Sequence, residues 1–76
     1  MPTVHRIRNL YIRMFSNEHN PPHFHVETPD GRVQIVLSDL SVLRGKIRTR
    51  DLEEIRIWAR ENMELLTSEW RRLNEQ

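Results

Sequence analysis

His23-Phe24-His25-Val26-Glu27-Thr28-Pro29-Asp30-Gly31-Arg32-Val33-Gln34-Ile35-Val36-Leu37 sets the architecture of this chain. Asp30-Gly31 suits the two positive-φ positions of a type I′ turn, and β-branched and aromatic residues flank it on both sides. A two-residue Asp30-Gly31 loop pairs Val26 with Ile35, Phe24 with Leu37, His25 with Val36 and Glu27 with Gln34. Apolar residues then meet on one face, as a half-buried hairpin requires. The opposite face receives His23, His25 and Glu27.

On the amino-terminal side of the hairpin, Val4–Arg8 and Leu10–Phe15 read as two strands rich in Ile, Tyr, Val and Phe. Ser16 to Pro22 is a polar connection whose two prolines hold the approach to His23 extended, and which marks an edge strand or a strand start. Downstream, Ser38–Leu43 turns and forms a further short strand that leads through Gly45 to a helix. Thr49 is the expected N-cap, with Asp51, Glu53 and Glu54 where the helix dipole favours acids. Leu52, Ile55, Ala59, Met63, Leu66, Trp70 and Leu73 fall on one helical stripe, and both tryptophans, Met14 and Met63 read as core. An unbroken helix to about residue 74 would be roughly 35–40 Å long, more than a small meander covers. It therefore bends or splits near Asn62, which could cap a second segment, or it carries Trp70 to a partner. The expected class is α+β: one domain over 1–76, with a small antiparallel β-meander of about four strands over 1–48 and an amphipathic helical segment over 49–75.

With 76 residues, the chain buries only about 60% of the surface it exposes when unfolded. A second copy or another partner would add apolar burial. The absence of cysteine excludes disulfides, thiol catalysis and thiolate-held zinc. No long apolar run or signal-like start is present, so a soluble protein of prokaryotic cytoplasm, with no membrane partner, is expected. The formal net charge of +1 hides an asymmetry. Residues 1–50 carry eight Arg/Lys against four acids, net +4, whereas 51–76 carry four against seven, net −3. A basic front suggests an anionic partner, although ordinary variation in a short chain gives the same numbers.

Three of the four histidines lie in His19-Asn-Pro-Pro-His23-Phe-His25. His23 and His25, two apart on a strand, project from the same face, and His19 on the entering connection could fold back over them. One reading is a metal site, in which His19, His23 and His25 hold Zn²⁺ and Glu27 serves as fourth ligand or base. A second is acid–base chemistry: two imidazoles act as general acid and base in metal-independent RNA cleavage. Fixed cations would come from Arg44, Lys46, Arg48 and Arg50, which share a face if that segment is extended, and from Arg6 and Arg8 at the same spacing. A third is structural, with exposed histidines and an alternating basic edge that discourages aggregation. No nucleophile triad or glycine-rich phosphate loop is present, and no cofactor is expected.

The stretch Met14-Phe-Ser-Asn-Glu-His-Asn-Pro-Pro-His-Phe-His-Val26, with Trp58-Ala-Arg-Glu61 and Leu65-Leu66 to Trp70, resembles a family of small prokaryotic proteins classed as a domain of unknown function. Its hallmark is S-[ND]-[ED]-H-x-P-P-H-F-H-V, and the resemblance spans essentially the whole chain. Members are often encoded beside another small protein, and some are labelled toxins of toxin–antitoxin pairs. The resemblance thus implies a toxin-like module held by an antitoxin, with RNA as a target. It lands on Asn17, Glu18, His19, Pro21, Pro22, His23 and His25. Arg6, Arg8 and Arg13 depart from the family's more apolar strands. The preferred reading makes His23 and His25 acid and base, His19 and Glu18 their orienting groups, and Arg44, Lys46 and Arg48 the phosphate binders. Asn17 stabilises the turn through its own backbone. The contrasting reading is a non-catalytic module that docks a protein or nucleic acid.

Overall fold

The β3–β4 hairpin forms where expected, in a register displaced by two residues. In the computed structural model, which describes residues 3–75, β3 (His23–Thr28) and β4 (Gly31–Val36) pair Phe24 with Ile35, Val26 with Val33 and Thr28 with Gly31. The loop is Pro29-Asp30 rather than Asp30-Gly31. Proline explains the displacement: in the expected register Pro29 would face Arg32 in the ladder with no N–H to donate. At the tip its fixed φ instead suits the first central position of a turn. Thr28 Oγ1 accepts the Asp30 N–H at 3.1 Å, and Gly31 takes φ +151°. A shift of two keeps every side chain on its face, because alternation has period two.

Around the hairpin the chain builds a five-stranded antiparallel sheet in the order β1-β2-β3-β4-β5. β1 is Thr3–Ile7, β2 Leu10–Arg13 and β5 Val42–Gly45, one strand more than the rough count expected. Leu10, Ile12, Met14, Phe24, Val26, Val33 and Ile35 form a single buried cluster with Ile55, Ala59, Leu66 and Trp70 of the helices. The helical stripe read from the sequence is thus the one that packs. Trp58, Met63, Leu52 and Leu73 pack against the cluster from partly buried positions.

The helical segment splits into α1 (Thr49–Glu61) and α2 (Met63–Asn74). Asn62 is the break, with φ −127° and ψ 27°. It does not cap α2 with its side chain; its Nδ2 turns back and donates to the Trp58 carbonyl at 2.9 Å. Thr49 is the first helical residue rather than the N-cap. Arg48 holds the cap position without a side-chain bond, and its carbonyl accepts the Leu52 N–H at 2.9 Å. No helix among the described residues is long and apolar enough to cross a membrane.

Paired residues on antiparallel strands share a face, so the register defines the second side of the sheet. One row runs Thr3, Arg13, His25, Gln34, Arg44, and the next runs Arg6, Tyr11, Glu27, Arg32. These side chains are exposed or half-buried.

Candidate functional site

The Ser16–Pro22 connection closes over the first residues of β3, and three side chains meet there. Glu18, His23 and His25 offer one donor atom each, all within 4.8 Å of one another. Both imidazoles direct Nε2 at the same carboxylate oxygen. His25 Nε2 is hydrogen-bonded to Glu18 Oε1, and His23 Nε2 lies 3.5 Å from it. The two rings are 5.2 Å apart.

The local sequence explains the convergence. His23 and His25 share a face by strand alternation, as expected. Pro21 and Pro22 hold the connection against the strand, and the Pro21 carbonyl lies 2.8 Å from His23 Nδ1. A carbonyl only accepts, so Nδ1 carries the proton and donates. Asn17 takes φ +60°, a left-handed conformation that asparagine tolerates at little cost. Its part in the turn is that conformation. The next residue, Glu18, is then fixed by a contact from far along the chain. Its N–H donates to Asn74 Oδ1 at 2.9 Å, while Asn74 Nδ2 donates to the Phe15 carbonyl at 3.1 Å. One side chain at the end of α2 thus ties both ends of the segment that carries Glu18.

Aromatic rings complete the walls. The edge of Phe15 meets His25 at 4.8 Å between centroids, and Trp70 of α2 lies 5.4 Å from His23. His23 is only 5% exposed. The side chains of His25 and Glu18, at 18% and 25%, are the part open to water.

Several expectations change here. His19 is exposed and takes no part in the cluster, so the three-histidine set gives way to two histidines and Glu18. Glu27 is engaged elsewhere, with its Oε1 3.1 Å from Arg13 Nε. That contact is an ion pair without hydrogen-bond alignment, since Arg13 Nε has no hydrogen-bond partner.

The basic run does not form one face. β5 ends at Gly45, where φ is +87°; residues 46–48 are irregular, and Arg50 lies in the first turn of α1. Arg44 alone stays in register with His25, two strands away, or about 10 Å at ordinary strand spacing. Lys46 is exposed outside the strand. Arg48 pairs with Asp30 at 3.1 Å beside the hairpin tip, at the other end of β3 from His23. Arg8 stands in the β1–β2 turn at φ +55° and is paired with Glu54 and Asp51 of α1. Arg6 packs over the Tyr11 ring at 5.0 Å, with Arg13 over the same ring at 5.4 Å. Arg32 belongs to the same face, as alternation from Gln34 requires, although it is not among the expected cations; the register sets it beside Glu27.

The structure so defines a class: a five-stranded antiparallel meander backed by two helices, with a two-histidine, one-carboxylate cluster where a proline-stiffened loop enters the central strand. The chain belongs to the family described as Domain of unknown function (DUF4160), whose profile matches residues 9–71. Comparison with curated proteins and with solved structures finds no significant match in either.

Proposed function

We propose that this chain is an RNA-binding module of the toxin-like kind its motif resembles, and that the RNA lies across the face of the sheet turned away from the core. The observation that carries this reading is the pair of side-chain rows on that face. Arg32 and Arg44 are exposed and have no ion-pair partner among the described residues, so their guanidinium groups are available to phosphate. Tyr11, with Arg6 and Arg13 over its ring, adds an aromatic group within a positively charged surface, where a base would displace a guanidinium from the ring or stack upon it. Guanidinium groups and an aromatic plane are what unpaired nucleotides are bound by, largely without regard to sequence.

Binding is better supported than cleavage by the histidine pair. The Glu18 carboxylate stands between His23 and His25 and repels a phosphate approaching both rings, and His23 is closed in by Trp70. An acid and a base that share one carboxylate partner are poorly placed on either side of a phosphodiester.

Fluorescence anisotropy with a short single-stranded RNA across a range of salt tests the reading. Log affinity should fall linearly with log salt, by about 0.7 per neutralised phosphate on a single strand. The Arg32→Ala/Arg44→Ala double variant should flatten that slope by roughly 1.4, while His25→Ala leaves it unchanged. Absence of salt-dependent binding by the wild-type chain rejects the proposal.

A further inference from the structure

We infer that Glu18, His23 and His25 form a site for one divalent transition-metal ion, with Zn²⁺ the best match. The inference uses different residues from the RNA surface and does not depend on it. Its basis is an electrostatic conflict. His23 Nδ1 donates its proton to the Pro21 carbonyl, so in the neutral ring Nε2 carries the lone pair. That lone pair faces Glu18 Oε1 across 3.5 Å, and two electron-rich atoms at this distance repel unless positive charge lies between them. His25 Nε2 meets the same oxygen. The His25 contact is already relieved by its own Nε2–H, whereas a cation held among the three donors would relieve the His23 contact as well.

The dimensions suit such an ion. Ligand bonds of about 2.1 Å place neighbouring donors of a tetrahedral centre about 3.4 Å apart. The His23–Glu18 separation of 3.5 Å is close to that value; on binding, the His25–Glu18 hydrogen bond opens and the widest donor pair, up to 4.8 Å apart, closes to match. The surroundings are those of a ligating histidine, whose second nitrogen is fixed by a backbone carbonyl. Asn74 fixes the carboxylate-bearing segment in the same way. Imidazole and carboxylate donors without sulfur suit zinc, iron, nickel or copper and are a poor set for magnesium or calcium. Three protein donors leave a position for water or an exogenous ligand on the side where His25 and Glu18 are accessible.

The test uses the full chain, stripped with chelator and dialysed, and titrated with Zn²⁺ by calorimetry and native mass spectrometry. One equivalent should bind and raise the melting temperature, and Co²⁺ should give the visible absorption of a low-symmetry site. Mg²⁺ should do neither. Glu18→Gln and His25→Ala, at half-exposed positions, should each weaken Zn²⁺ more than about tenfold while keeping a cooperative unfolding transition. His19→Ala and His5→Ala should bind like wild type. These variants are the decisive ones because His23→Ala, in a buried position, risks unfolding the chain. No zinc uptake would mean that the contact is an imidazolium–carboxylate pair and would overturn the site. So would uptake indifferent to Glu18→Gln and His25→Ala, or uptake abolished by His19→Ala.

Discussion

The two ends of β3 solve the same problem differently. At the His23 end, charged and polar groups are drawn from a loop, a strand and the far end of a helix, and each is fixed by a neighbour that is itself packed. At the Thr28 end, the charges sit outside the fold: Arg48 meets Asp30, and Arg8 meets Glu54 and Asp51, through side chains that are mostly in water. Exposed pairs of this kind contribute little, because solvent screens them and two long side chains must be ordered to form each one. Order at the hairpin end is held by backbone geometry, and order at the histidine end by side-chain convergence. Only the second arrangement holds titratable groups at fixed separations, which chemistry or ligation needs.

Substitutions at the two ends test this contrast, and the largest effect is expected at Trp70. Trp70→Ala should cost about 3–5 kcal/mol in urea denaturation, because the ring is 3% exposed and joins the core cluster to His23. A loss below about 1 kcal/mol would mean that the end of α2 is not part of the core. Gly45→Ala should come next. A Cβ there would stand 2.2 Å from the Arg32 carbonyl oxygen at φ +87°, at a cost of about 2–3 kcal/mol. Gly31→Ala meets no atom within 4 Å and should cost only backbone strain, about 1 kcal/mol. If the two glycine variants melt alike, backbone crowding is not what holds the hairpin end.

Asn74→Ala removes both bonds that tie the Phe15–Glu18 segment. It should cost about 1–2 kcal/mol and speed hydrogen exchange at the Glu18 amide roughly tenfold, with β4 amides unaffected. The smallest effect is expected at Arg8. The hydrogen bond from Arg8 holds the Glu54 carboxyl below its ordinary value of 4.5. A carboxyl lowered on folding stabilises fully above its unfolded value, and that stabilisation is lost as pH falls through the folded value. Wild type should therefore lose slightly more stability than Arg8→Ala between about pH 5 and pH 3. A steeper acid loss in the variant would show that the pair is not formed in solution.

What could be read in the sequence was what depends on neighbours along the chain. Alternation put His23 and His25 on one face and Phe24 and Val26 on the other, and this survived a register error of two residues because parity was right. The apolar stripe gave the helical segment its buried side, and its excess length over the sheet left two readings, a break near Asn62 or an end carried to a partner, of which the break is the one that forms. What could not be read was partnership across distance. Nothing near Glu18 or Phe15 announces Asn74, which lies 56 and 59 positions away. The spacing of Arg44, Lys46, Arg48 and Arg50 looked like one face because the pattern assumed a strand through Gly45, where the chain takes a positive φ instead. Alternation from Gln34 gave Arg32 its face, but only strand pairing places it beside Glu27 and Tyr11.

The Asn74 tether also sets an order of events in synthesis. The histidine motif is translated well before α2, but the residue that closes the loop around it belongs to the last turn of that helix. While the nascent chain is still emerging, the sheet can begin to assemble from its amino-terminal strands, and Glu18 remains unanchored. The cluster is completed only after the ribosome has released residues as late as position 74, so a prematurely terminated product would carry the motif without the assembled site.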